Sequence, residues 1–105
     1  MYELVLTKLA EDDLDNIVHY LSVILANPLA ATVFLDRLEE VCQFLRENPK
    51  MYALSRDAIL RVAGYRVAAV KKYLLVYRVV EHTVVIYRMF HGTQAYQKIL
   101  LADVE

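Results

Sequence analysis

Near the end of the chain, the stretch YRMFHGTQAYQ (residues 87–97) gathers an arginine, a histidine and two tyrosines around one glycine. Those types suit proton transfer beside an anion. An imidazole titrates near neutrality and can give or take a proton, and a guanidinium can hold two oxygens of a phosphate or carboxylate. Arg88, His91 and Tyr96 are the candidates in this stretch, and Arg66 of GYRVAAV is a fourth. The plain alternative is a strand handing over to a helix at Gly92, with His91 structural or solvated. The residues alone leave both readings open.

Other chemistries find little support. His19, His82 and His91 have no metal-ligand spacing, so neither a metal nor another cofactor is expected. Gly64 and Gly92 stand alone and form no phosphate-cradling loop. Ser22 and Ser55 sit in no recognisable nucleophile turn.

With 105 residues, the chain is expected to be a single domain over 1–105. Hydrophobic residues make up 58%, a greasy balance for so small a domain, which suggests apolar surface meant for a partner. Net charge is −1, against strong unspecific binding of nucleic acid. The charge is divided: residues 1–52 carry nine acidic and four basic side chains, residues 53–105 four acidic and eight basic. A local anion-binding surface, or simple attraction between the halves, would each explain this. A lone Cys42, no basic leader and no apolar run of about 20 residues lead us to expect a cytoplasmic protein without a membrane span.

YELVLT (2–7) has strand character, and Thr7 is placed to cap a helix with Leu9, Leu14, Ile17, Val18, Leu21 and Leu25 on one stripe. Asn27-Pro28 ends that helix and starts another, in which Ala31, Phe34, Leu35, Leu38, Val41, Cys42 and Leu45 keep the period. Cys42 therefore reads as core filler. Residues 49–64 look irregular. YRVAAVKK, YLLVYRVV and TVVIYRMF read as three antiparallel strands turning at Lys71-Lys72 and Glu81-His82, and TQAYQKILLADVE as a short helix. The fold class is α+β, an antiparallel sheet packed on a helical hairpin.

Two-residue turns would set Arg66 opposite Tyr77 and Tyr77 opposite Ile86, with Leu75 opposite both Ala68 and Arg88. Alternation then sends Val67, Ala69, Leu74, Val76, Val85, Tyr87 and Met89 toward the helices. Arg66, Leu75, Tyr77, Val84, Ile86, Arg88 and Phe90 fall on the uncovered face, where the two arginines flank an aromatic and could grip a phosphate or carboxylate.

LTKLAEDDLDNIVHYL, FLDRLEEVCQFLRENPKMY and GYRVAAVKKYLLVYRV followed by VVIYRMFHGTQAY, in this order, make nearly the whole chain resemble the RelE/ParE superfamily of type II toxin–antitoxin toxins, often called plasmid stabilisation proteins. The resemblance implies a β-α-α-β-β-β core with a short C-terminal helix, a bacterial cytoplasmic toxin, and a cognate antitoxin covering its apolar and basic surfaces. Either a homodimer or a hetero-oligomer with the antitoxin would suit it. ParE-like members bind DNA gyrase and are not nucleases. RelE-like members are mRNA interferases that cut messenger RNA on the ribosome, where Arg66, Arg88, His91 and Tyr96 would be the catalytic set. An arginine common after the tyrosine of the KKYLLVY strand is Leu74 here, and Thr93 and Gln94 stand where basic residues often follow the glycine. Both departures remove charge from a phosphorane, so the ParE-like branch is favoured. Arg66, Leu75, Tyr77, Ile86, Arg88 and Phe90 are then the expected partner-binding residues. A non-toxic antitoxin-binding remnant is the third reading.

Overall fold

Helix starts lie where the capping residues put them. In the computed structural model, which describes residues 1–103, the Thr7 hydroxyl accepts the Ala10 N–H and opens α1 (Lys8–His19). Asn27 accepts the Ala30 N–H and opens α2 (Pro28–Glu47), with Pro28 in the first turn, where its missing N–H costs nothing. Between them α1 widens into a π-helical turn over Tyr20–Ile24, with the Leu25 N–H bonded to the Tyr20 carbonyl. Segment 49–64 is less irregular than its sequence suggests. Asp57 caps a short helix, α3 (Ala58–Val62), and Gly64, at φ +89°, supplies the left-handed turn that leads out of it.

Four strands form one sheet: β1 (Glu3–Leu6), β2 (Arg66–Val70), β3 (Tyr73–Val80) and β4 (Thr83–His91), in the order β1-β4-β3-β2. The last three are antiparallel, as expected. β1, however, pairs parallel to β4, so the sheet is mixed. The intervening helices supply the crossover that a parallel pair needs. α4 (Tyr96–Asp103) follows; residues 104–105 of the expected final helix lie outside the described residues. No helix among the described residues is long and apolar enough to cross a membrane.

The turns fall at Lys71-Lys72 and Glu81-His82, and Arg66 pairs with Tyr77 and Tyr77 with Ile86. A bulge at Tyr87 then shifts the register, so Leu75 faces Met89, and Arg88 faces Val76 instead of Leu75.

The expected face assignment is inverted. Ala68, Val70, Leu75, Tyr77, Val84 and Ile86 pack under the helical hairpin with Phe34, Leu38, Val41, Cys42 and Leu45. Val67, Val76 and Tyr87 lie on the opposite face, which is not bare: Leu60 of α3 and Leu100 of α4 cover it with Tyr65 and Phe90. The bulge moves Met89 to the hairpin face and Phe90 to the other. With both faces covered, both carry apolar side chains, and alternation cannot tell which faces the hairpin. On the hairpin itself, Leu9, Leu25 and Leu35 point outward, while Ala10 and Ile17 are buried. Burial pushes the Cys42 thiol pKa up, in keeping with core packing.

Candidate functional site

The four candidates for acid–base chemistry do not converge. His91 lies on the hairpin face, its ring edge-on to Tyr73 at 5.3 Å, beside an open groove of about 620 Å³ lined also by Tyr20, Phe34, Lys71 and Lys72. Its Nδ1 accepts the Thr93 N–H and lies 2.8 Å from the Thr93 hydroxyl, while the Gln94 side chain accepts the His91 backbone N–H. Thr93 and Gln94 thus close the corner by hydrogen bonds. Gly92 suits the close approach there: a Cβ would lie 3.2 Å from the Lys72 carbonyl, which accepts the Gly92 N–H, a tight contact. Tyr96 sits on the other face of the sheet, near Phe90 and hydrogen-bonded to the buried Ser55 hydroxyl at 3.0 Å.

The arginines are separated as well. β1 ends opposite Ile86, so from Tyr87 onward β4 keeps β3 on one side only, and α1 closes the other edge. The Thr7 hydroxyl donates to the Tyr87 carbonyl. Asp13 accepts the Met89 N–H at 2.9 Å and also takes Arg88 in a two-point pair, Nε at 2.7 Å and Nη2 at 3.0 Å. Both side chains are about 15% exposed, so this ion pair is largely desolvated. The charge of Arg88 is thus met by Asp13.

Leu75, Tyr77 and Ile86 lie beneath the hairpin, 1% exposed or less, and Phe90 is buried beneath α4. They pack as core residues of this chain, in place of the uncovered face expected for them. Tyr77 donates its hydroxyl to the Pro49 carbonyl, and burial pushes its pKa up to about 12.

Arg66 does meet a second arginine, but it is Arg78. The two line an open groove of about 490 Å³ with Lys50, over Leu54, Val79 and Val80. Arg66 Nη1 donates to the Tyr52 carbonyl at 2.7 Å and the Lys50 carbonyl at 3.4 Å. Arg78 donates to the Ala63 carbonyl and the Tyr87 hydroxyl, with its guanidinium 5.0 Å from the Tyr65 ring centre and 5.4 Å from that of Tyr87. Among the described residues no carboxylate pairs with Lys50, Arg66 or Arg78. Two guanidiniums bound only by neutral oxygens are preorganised for an anion. A charge in the middle of the apolar strand YLLVYRVV is the signal that could have drawn attention to Arg78.

The π-helical tip of the hairpin presents a third feature. Tyr20, Val23, Ile24, Leu25, Leu29 and Val33 are all exposed, an apolar patch beside the His91 groove.

Comparison with known proteins places this arrangement. The family model for the ParE toxin of the type II toxin–antitoxin system parDE matches residues 4–96. Among solved structures, the chromosomal ParDE system of P. aeruginosa is 24% identical, at a TM-score of 0.65, over 87% of this chain and 96% of that one. The toxin–antitoxin complex RelBE2 of Mycobacterium tuberculosis is 24% identical, at a TM-score of 0.55, over 86% and 96%. YafQ of E. coli is 16% identical, at a TM-score of 0.57, over 92% and 98%. No curated protein sequence matches the chain.

Proposed function

Because the chain belongs to the ParE toxin family of type II toxin–antitoxin systems, we propose that it arrests growth by binding DNA gyrase and is silenced by a cognate antitoxin. The observation that carries this reading is the separation of His91 from Tyr96 by the thickness of the sheet, with Arg88 committed to Asp13. A phosphodiester cleaved by acid, base and cation needs all three within reach of one phosphate. The exposed apolar tip from Tyr20 to Val33 suits a protein that acts by docking on others.

Inducing the protein without its antitoxin, and assaying the purified protein on gyrase, tests the reading. Blocked supercoiling or gyrase-dependent DNA breaks are expected. Ribosome-dependent messenger RNA cleavage with gyrase untouched would overturn it, and absence of growth arrest would mark a non-toxic remnant. His91→Ala and Tyr96→Phe are expected to stay toxic. Arg88→Ala is a poor probe, since it strands Asp13 in a desolvated site. The endoribonuclease reading draws on one observation: His91 shares its groove with Lys71, Lys72 and Tyr73, a base beside cations. Loss of toxicity in folded His91→Ala, with RNA cleavage lost in parallel, would favour it.

A further inference from the structure

β2 begins at Arg66, opposite Tyr77, whereas β3 continues through Val80. Residues Arg78, Val79 and Val80 therefore pair with β4 on one side and, among the described residues, have no strand on the other. In an antiparallel strand, successive residues turn their N–H and C=O groups alternately to the two sides. At least one residue of this run thus aims both groups at the open side, and among the described residues no backbone bond outside the sheet ladders reaches 78–80. The open side is the groove of Lys50, Arg66 and Arg78. Its far wall is itself extended chain, since Leu54 bridges Arg66 and the Ser55 N–H donates to the Tyr65 carbonyl.

The charges lie on both faces of this missing-strand position. Arg66 shares the face of Tyr77, beneath the hairpin; Arg78 stacks with Tyr65 and Tyr87 on the other. We propose that the groove at the open end of β3 binds an extended acidic peptide segment, which pairs with Arg78–Val80 and offers neighbouring carboxylates to Arg66 and Lys50 on one face and to Arg78 on the other. Consecutive side chains of a strand point to opposite faces, so carboxylates at adjacent positions reach both guanidiniums, and flanking apolar side chains rest on Leu54, Val79 and Val80. Nucleic acid is a poorer fit. The groove lining has no aromatic ring on which a base would stack, and a chain of net charge −1 lacks the wider basic field that phosphates require. This assignment is independent of the gyrase reading, whose failure would leave it standing.

The test is an amide-resolved NMR titration of the purified protein with a blocked hexapeptide Leu-Val-Glu-Asp-Val-Leu. Its Gln-Asn counterpart, a copy N-methylated at alternate amides, and an oligo-dT of eight nucleotides serve as comparisons. Shifts are expected at Gly64 and at Arg78–Val80, with the acidic peptide bound at least tenfold tighter than the neutral or N-methylated one. Lys50→Gln is expected to weaken it several-fold and Arg78→Gln tenfold, while Lys98→Gln changes nothing. Lys50 is exposed, so its variant stays informative even if Arg78→Gln perturbs the fold. Equal binding of the neutral peptide, preference for oligo-dT, shifts centred elsewhere, or no binding would each overturn the proposal.

Discussion

β4 outruns β1, and β3 outruns β2, but the two overhangs are finished differently. Beyond Ile86, β4 is closed by Thr7 and Asp13, and Asp13 also neutralises Arg88. Beyond Tyr77, β3 keeps β4 on one side but has no strand on the other, and among the described residues no carboxylate pairs with the Arg66, Arg78 and Lys50 that gather around the gap. An exposed strand edge is a liability that proteins usually cover or blunt with charge. At the β4 edge the covering is internal, so its arginine belongs to the fold. At the β3 edge the charges are left for something else to meet. An arginine's role is thus read from what neutralises it, more than from its place in a motif.

Substitutions at the two edges test this contrast. The largest effect belongs to Tyr77, fully buried beside the open end and tied to Pro49. Tyr77→Ala is expected to cost about 4 kcal/mol in urea denaturation. Next is Asp13→Ala, which removes the carboxylate from a largely desolvated ion pair and the acceptor of the Met89 N–H; about 3 kcal/mol is expected. A loss below about 1 kcal/mol would mean that the closed edge does not depend on its ion pair.

Alkali should act on the open side. The Tyr77 pKa is raised, so the folded state holds that proton more tightly than the unfolded one. Its contribution is complete below about pH 10 and is lost as pH climbs toward about 12. Denaturation midpoints at pH 9 and pH 11.5 should differ, and the difference should shrink in Tyr77→Phe.

Arg78→Met is expected to cost only about 1 kcal/mol, because the loss of ring contacts is offset by removing a buried Nε–H that meets no acceptor among the described residues. If it equalled Asp13→Ala, Arg78 would be as structural as Arg88, and the contrast would collapse. The smallest effects belong to Lys71 and Glu81, the first residues of the two hairpin turns, at φ 57° and 56°. Lys71→Gly and Glu81→Gly should each stabilise by about 0.5 kcal/mol, the relief of a left-handed non-glycine residue less the added chain entropy of glycine. Thermal midpoints would show it.

Much of the fold is legible because its signals are local. Thr7, Asn27 and Pro28 set helix starts through bonds within one turn, and the tight pairs Lys71-Lys72 and Glu81-His82 set the strand register up to Tyr77 and Ile86. The candidate site is less legible. Arg66 is visible in sequence, but its companion Arg78 and the wall residue Lys50 come from separate segments, and their meeting depends on how 49–64 folds back. His91 and Tyr96, five residues apart, are easily read as one corner, yet Gly92 and the turn after it carry them to opposite sides of the sheet.

By itself, the sequence determined the element order, the caps, the hairpin turns and the family pattern. Each of these rests on interactions between near neighbours, or on residue types matched in order. Tertiary structure decided which sheet face meets the hairpin, because α3 and α4 bury the second face and make both equally apolar. It also decided the fates of the arginines. The bulge at Tyr87 and the carboxylate of Asp13, 75 residues away in sequence, take Arg88 into the fold, while the late start of β2, at Arg66, leaves Arg78 beside an open edge. Charge neutralisation depends on distance in space, and that is set only when the chain closes on itself.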